Sequence, residues 1–189
     1  MRCSPHRVQE MMQRAARVKV LILDVDGVLT PGQIVHHDQG GITKYFNALD
    51  GLGIKLAASA GLTVAIITAS TSDAIRHRAA DLGITHLYLG RYDKGNAFAE
   101  LLSNLDVSEA EICYMGDDLP DYPVMARVGL PVAPANGARI IRQLAGLTTD
   151  RRGGEGAIRE AIEFILFAQG RLDAEHDRLL DGLSRERLT

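Results

Sequence analysis

Two aspartates close an apolar run near the start of the chain, in Val18-Lys-Val-Leu-Ile-Leu-Asp24-Val-Asp26-Gly27. Carboxylates two residues apart lean to the same side of an extended strand. Together they can hold a hard, oxygen-seeking cation and divide nucleophilic and acid/base work between them. Further along, Thr68 ends the apolar run from Leu62, Lys94 follows the cap residue Asp93, and Asp117, Asp118 and Asp121 follow the run Glu111–Met115. Phosphoryl transfer needs this inventory. A carboxylate attacks phosphorus, a cation and a lysine neutralise the phosphoryl oxygens, and a hydroxyl positions them. Each residue also has a plainer reading. Asp-Xaa-Asp-Gly makes ordinary turns, Thr68 could simply end a strand, and Asp117, Asp118 and Asp121 could form a solvated turn capping the next helix. Lys94 fits a structural role less well, because the first turn of a helix disfavours a cation.

The elements that would carry these groups alternate. Val18–Leu23, Leu62–Ile67, Thr85–Leu89, Glu111–Met115 and Leu130–Ala133 read as strands, the first two as strands buried on both faces, and Leu147–Thr148 as a short edge strand. Helices are expected over Gly51–Ala60 with Asp50 as cap, from Thr71-Ser72-Asp73 to Leu82, from Asp93 to about Leu105, over Pro120–Val128, over Gly137–Ala145, and around Ile158, Ala161, Ile162, Ile165 and Leu166. Arg151-Arg-Gly-Gly-Glu-Gly reads as a flexible basic turn before the last of these. The pattern predicts a three-layer α/β sandwich with a mainly parallel sheet, in which all the polar strand ends share one edge. Ile34-Val-His-His and Thr43-Lys-Tyr-Phe flank Asp38-Gln-Gly-Gly, a hairpin signal that places a small flap beside the Asp24 loop. Residues 1–17 read as a helical or frayed lead-in, 18–173 as one catalytic domain without a separate cap, and 174–189 as a helical or flexible tail.

Bulk properties exclude several classes. The 189 residues suffice for one domain with a real core, and a net charge of −3 gives no general attraction to nucleic acid or anionic membrane. No apolar run reaches membrane-span length, and the first twenty residues lack the apolar stretch of a secretory signal, so the cytoplasm is the expected setting. Cys3 and Cys113 are too few for a disulfide scaffold, and Cys113 lies in a strand pattern as a core residue. No His or Cys pair has zinc-ligand spacing. The pair His36-His37 falls in the flap. Gly51-Leu-Gly53 follows no strand and is not a dinucleotide fingerprint.

Asp24-Val-Asp-Gly-Val-Leu-Thr30, Ile66-Ile-Thr68, Lys94 and Gly116-Asp-Asp-Leu-Pro-Asp121 resemble the four motifs of the haloacid dehalogenase superfamily of phosphatases. The likeness extends through Lys44-Tyr-Phe-Asn, Asp50-Gly-Leu-Gly-Ile, Leu82-Gly-Ile-Thr-His-Leu-Tyr, Gly153-Gly-Glu-Gly-Ala-Ile-Arg-Glu and Ala168-Gln-Gly. It is similar in particular to phosphatases of bacterial lipopolysaccharide sugar synthesis. The resemblance implies a Rossmann-like domain without a separate cap, Mg²⁺, a homotetramer and a sugar acid phosphate as substrate. It makes Asp24 the nucleophile that becomes an aspartyl-phosphate, and Asp26 the group that protonates the leaving sugar oxygen and then activates water. It assigns the metal to Asp24, the Asp26 carbonyl and Asp117, with Asp118 or Asp121 in support, and the phosphoryl oxygens to Thr68 and Lys94. Thr30 and Gly32 are lesser contributors.

One departure bears on the substrate. Family members commonly follow the motif threonine with Gly-Arg, whereas Ala69-Ser70 stands here. Arg91, Arg151, Arg152 and Arg159 are candidates to replace that basic side chain, and a nine-carbon, sialic-type ketose phosphate is the alternative substrate. A receiver domain also presents acids, a threonine and a lysine at strand ends, but its phospho-acceptor lies well inside the chain, after an earlier acidic pair. A non-catalytic oligomerisation relative would lack Asp24 or Asp26, and both are present. The helix from Ile158 carries Phe164 and Phe167 off its apolar stripe, which suggests a second buried surface. Leu172, Leu179, Leu180 and Leu183 follow at helical spacing in a charged tail. That tail either packs on its own subunit or is partly disordered, or a neighbouring subunit's flap or C-terminal segment completes the sugar pocket.

Overall fold

The structure is a computed structural model and describes residues 5–186, with side chains for 8–182. Six strands form one parallel sheet: β1 (Val20–Leu23), β4 (Thr63–Ile67), β5 (His86–Tyr88), β6 (Ile112–Met115), β7 (Leu130–Ala133) and β8 (Leu147–Thr148), in the order β5-β4-β1-β6-β7-β8. β2 (Val35–His36) and β3 (Ile42–Thr43) form the expected antiparallel hairpin, turning through Gly40 and Gly41. The sheet grows outward from β1, first through β4 and β5, then on the other side through β6 to β8. The reversal leaves a crevice between the carboxyl ends of β1 and β6, the place where open parallel sheets bind ligands.

Strand residues alternate between two cores. Leu21, Leu23, Val64, Ile66, Cys113 and Met115 pack with α1 (Pro5–Ala15), α2 (Ala48–Ser59), α3 (Asp73–Asp81) and α7 (Ala157–Ala168). Val20, Ile22, Ala65, Ile67, Ile112 and Tyr114 face α4 (Lys94–Ser103), α5 (Tyr122–Met125) and α6 (Arg139–Leu144). Burial on both faces explains the near-continuous apolar runs, and Cys113 is a buried free thiol within one of them. All five stripe residues of α7 are buried. Phe164 packs partly against the same core, while Phe167 stays exposed.

Three local readings are corrected. Asn47, not Asp50, caps α2, accepting from the Leu49 amide at 2.7 Å. Asp50 lies buried inside α2 and caps a different helix, accepting from the Gly156 and Arg159 amides at the start of α7. The helix expected over Pro120–Val128 shrinks to a 3₁₀ turn at Leu119–Asp121 and the four residues of α5. Pro120 and Pro123 each fit only a first turn, so they restart the helix rather than extend it. The turn at 151–156 is pinned instead of flexible. Gly154 N donates to Val28 O at 2.8 Å, and Asn136 bridges it to the Asp24 loop, accepting from Gly153 N at 2.7 Å and donating to Gly27 O at 3.2 Å. A Cβ at Gly153 would fall 1.7 Å from Gly27 O, so only glycine permits that approach.

At the C-terminus, α8 (Leu172–Glu186) lies against its own subunit. Leu172 and Leu179 join the core, and buried Glu175 accepts from Ser59 on α2 at 2.9 Å. Leu180 is exposed, and the Leu183 side chain lies outside the described residues, as does Cys3.

Candidate active site

Asp24 continues the alternation of Val20 and Ile22 and so leaves β1 on the α4 side. There Lys94, the first residue of α4, donates from Nζ to Asp24 Oδ1 at 2.6 Å. The same ammonium donates to Asp121 Oδ1, also at 2.6 Å. All three groups are buried, and the two carboxylates offset the cost of placing a cation at a helix start. Burial works against the Lys94 charge, but Asp24 and Asp121 outweigh it and the pKa rises.

Asp121 is fully engaged by the protein. Tyr114 on β6 donates to Oδ1 at 2.7 Å, while the Asp117 and Asp118 amides donate to Oδ2 at 2.9 and 3.2 Å. Its carboxylate therefore organises the β6 loop and orients Lys94. Asp118 caps the 3₁₀ turn through the Leu119 amide at 2.8 Å and is exposed, the plainer of the two roles open to it.

Asp117 is the opposite case. No donor among the described residues reaches its carboxylate, although it lies with Asp24 and Asp121 in a group whose oxygens fall within 4.8 Å of one another. Burial, then the charges of Asp24, Asp121 and Asp118, push its pKa up to about 8. Asp24 is raised to about 6, chiefly by burial, with Lys94 opposing. Two crowded carboxylates, one without a protein partner, constitute a site that a hard divalent cation would complete.

Asp26 lines the same cleft, and its Oδ1 is held by Lys44 Nζ at 2.5 Å. Sequence reasoning had quoted Lys44 only as part of a likeness. It follows β3 directly, where no local pattern marks a partner for it. Thr30 is buried and braces the loop from within, its hydroxyl meeting Val25 O at 3.2 Å and Asp26 Oδ1 at 3.4 Å, while Gly32 N donates to Thr30 Oγ1 at 3.3 Å. Buried Thr68 accepts from the Ser70 amide at 3.1 Å, which leaves its hydroxyl hydrogen free for a ligand.

The cleft has a volume of about 180 Å³ and is lined by Asp24, Asp26, Thr68, Lys94, Asp117 and Asp121, with Ala69, Ser70, Asp118 and Pro120 at its rim. The structure thus gathers the acids, the lysine and the threonine marked in the sequence. None of Arg91, Arg151, Arg152 and Arg159 lines the cleft. Arg91 is held by Glu100 and Arg159 by Glu163, each at 2.6 Å.

Known proteins resemble this chain in sequence and fold. The haloacid dehalogenase-like hydrolase family matches residues 63–162. The 3-deoxy-D-manno-octulosonate 8-phosphate phosphatase of Yersinia pestis is 44% identical over 164 residues, covering 87% of this chain and 88% of that protein. The crystal structure of the Moraxella catarrhalis phosphatase of the same name, in complex with magnesium, phosphate and KDO, superposes with a TM-score of 0.88 at 37% identity, covering 90% and 98% of the two chains. The cobalt-bound enzyme of Haemophilus influenzae gives a TM-score of 0.82 at 37% identity, covering 85% and 94%. The chain belongs to the haloacid dehalogenase-like hydrolases.

Proposed function

We propose that this chain is a magnesium-dependent phosphatase that hydrolyses 3-deoxy-D-manno-octulosonate 8-phosphate to the free sugar and phosphate. The carrying observation is the pairing of Asp24, held by Lys94, with an Asp117 carboxylate that has no protein donor. Substrate identity follows the relatives, which bear that name across almost the whole chain.

Asp24 and Asp117, with the Asp26 carbonyl, would hold Mg²⁺, and Asp121 would support them through the amides it already binds. The bound cation supplies charge neutralisation at the phosphoryl oxygens and at Asp24. Lys94 and the Thr68 hydroxyl bind the same phosphoryl group. An Asp24 carboxylate oxygen forms a bond to phosphorus as the bond from phosphorus to the sugar oxygen breaks, and Asp26 gives its proton to that oxygen. A water oxygen then attacks phosphorus, its proton passes to Asp26, and the bond to Asp24 breaks. The sum is phosphomonoester plus water to alcohol plus phosphate, with both aspartates restored.

The cleft of about 180 Å³ is smaller than the roughly 300 Å³ at which pockets enclosing a drug-sized ligand begin, so one subunit houses the phosphoryl group and leaves the sugar outside. We assign the missing walls to a homotetramer, supported by Ile34, Ile42 and Tyr45 exposed on and beside the hairpin and by Phe167 exposed on α7. Light scattering at working concentration tests the assembly. Mg²⁺-dependent phosphate release from a panel of sugar phosphates tests the activity, with the eight-carbon sugar acid phosphate expected to give the highest kcat/KM. Preference for a nine-carbon ketose 9-phosphate would transfer the reading to that substrate, a possibility kept by Ser70 in place of arginine.

A further inference from the structure

Lys44 leaves β3 of the hairpin and turns inward. Its side chain is 4% exposed, and its ammonium meets Asp26 Oδ1, the one partner recorded for it among the described residues. Asp26 itself is 32% exposed and lines the cleft, and no donor among the described residues reaches its Oδ2. Thr30 adds little at that carboxylate, since its hydroxyl is nearer the Val25 carbonyl. The two oxygens of Asp26 therefore have different fates. Oδ1 is tied down from the hairpin side, and Oδ2 is left facing chemistry. A buried ammonium with a single counter-charge cannot let go without a large desolvation cost, so the pair fixes the carboxylate in one attitude.

We propose that Lys44 is a positioning residue that aims Asp26 Oδ2 at the leaving oxygen and thereby ties acid catalysis to the seating of the hairpin. The inference rests on the phosphatase reading above. Its chemical consequence is selective. A sugar alkoxide leaves only if it receives a proton as the bond to phosphorus breaks, whereas a nitrophenolate leaves without one. A misaimed Asp26 thus slows phosphoryl transfer from the first class of substrate and largely spares transfer from the second. The later hydrolysis of the aspartyl-phosphate, common to both, slows alike. A lysine serving only the fold, or only the phosphoryl oxygens, would affect both alike.

The test compares wild type and Lys44→Met on the sugar phosphate and on p-nitrophenyl phosphate with Mg²⁺. Removal of positioned general-acid catalysis costs about 100-fold or more, so in single turnovers with enzyme in excess the rate of sugar release should fall at least about tenfold further than the rate of nitrophenolate release. In an Asp26→Asn background, Lys44→Met should cost nothing further, because it acts through the group already lost. Equal losses in that first step on both substrates overturn the proposal, as does an undiminished rate of sugar release at saturating enzyme, which would make Lys44 a sugar-binding residue. If circular dichroism finds Lys44→Met unfolded, Lys44→Arg keeps the charge while displacing Oδ1, and the same selective loss is required of it. Wild-type protein that releases phosphate from neither compound sinks the phosphatase reading itself, an outcome distinct from any result with the variants.

Discussion

Asp117 fills the space that a side chain at position 27 would need: a Cβ built on Gly27 would lie 2.0 Å from Asp117 Oδ2. The loop after β1 and the loop after β6 meet at that point, and Gly27 also holds a φ of +99° that other residues resist by about 1–2 kcal/mol. Gly27→Ala should therefore push Asp117 away from Asp24 while leaving the sheet intact. Misplacing groups around a metal typically costs 10–100-fold in affinity, so the Mg²⁺ concentration for half-maximal activity should rise by about that factor. Titrating Mg²⁺ against turnover checks it. An unchanged Mg²⁺ requirement would mean that Asp117 does not hold the ion.

Asp24→Asn should abolish nearly all turnover, because an amide oxygen does not form the phosphoryl intermediate, yet it can still accept from Lys94 and preserve the fold. Asp26→Asn should lose about 10²–10⁴ in kcat on a sugar phosphate. It should also lower stability, since the buried Lys44 ammonium would face an uncharged partner, an effect of about 2 kcal/mol. Phosphate release and urea midpoints measured on the same preparations separate the two effects. A fully stable Asp26→Asn would mean that Lys44 finds another partner.

The sheet and the acids were legible in the sequence because each signal was local. Every strand expected in the sheet appears, four of them trimmed at an end and Leu130–Ala133 and Leu147–Thr148 unchanged, since double burial imposes runs such as Val20–Leu23 whatever surrounds them. The placing of Lys94 and Asp24 at one edge also followed from parallel strands, although the bond between them is visible only in the fold. What the sequence hid was long-range pairing. Asp50 has the local look of a cap for its own helix and instead caps one that begins more than a hundred residues later. The glycines at 153 and 154 signal freedom when read alone, and only the contacts of Gly153 with Gly27 and of Gly154 with Thr30 and Pro31 reveal that they are small to admit a neighbour. Lys44 carries no periodic or capping signal, so its partner emerged only from the folded hairpin.

The raised acids give the metal-free protein a definite pH dependence. Burial and neighbouring charge raise Asp24 from the ordinary aspartate value of 3.8 to about 6, and Asp117 from 3.8 to about 8. An acid whose pKa is raised by folding binds more protons folded than unfolded, so its stabilising contribution is complete below pH 3.8 and is lost as pH rises through the folded value. With chelator present, these two groups should make the protein progressively less stable between about pH 4 and 8. Mg²⁺ competes with the same protons, so its stabilisation should grow over that interval and be small near pH 5. Thermal midpoints with EDTA and with Mg²⁺ across the range read this directly. A gap between the two curves that does not widen toward pH 8 would remove Asp117 from the metal site.

Asp50 joins α2 to α7 and, through α7, to the active loop. Its carboxylate is buried, which raises its pKa, while the Gly156 and Arg159 amides pull the other way by favouring the charged form. Those amides belong to the unsatisfied first turn of α7, so the pair of bonds is an N-cap supplied from a neighbouring helix. Asp50→Ala leaves both donors in a dry interface, and the loss should be about 2–3 kcal/mol, near the upper end for a cap because two bonds go at once. Asp50→Asn keeps one acceptor oxygen and should cost less. The consequence reaches catalysis because the turn before α7 presses on the active loop, where Gly154 N meets Val28 O. A loosened α7 start should lower kcat for the sugar phosphate and the aryl phosphate together, in contrast to the selective loss expected at Lys44. Urea denaturation of the two Asp50 variants, with turnover on both substrates, tests each step. Wild-type stability in Asp50→Ala would show that the first turn of α7 is satisfied by other means, and that the clamp on the active loop does not depend on α2.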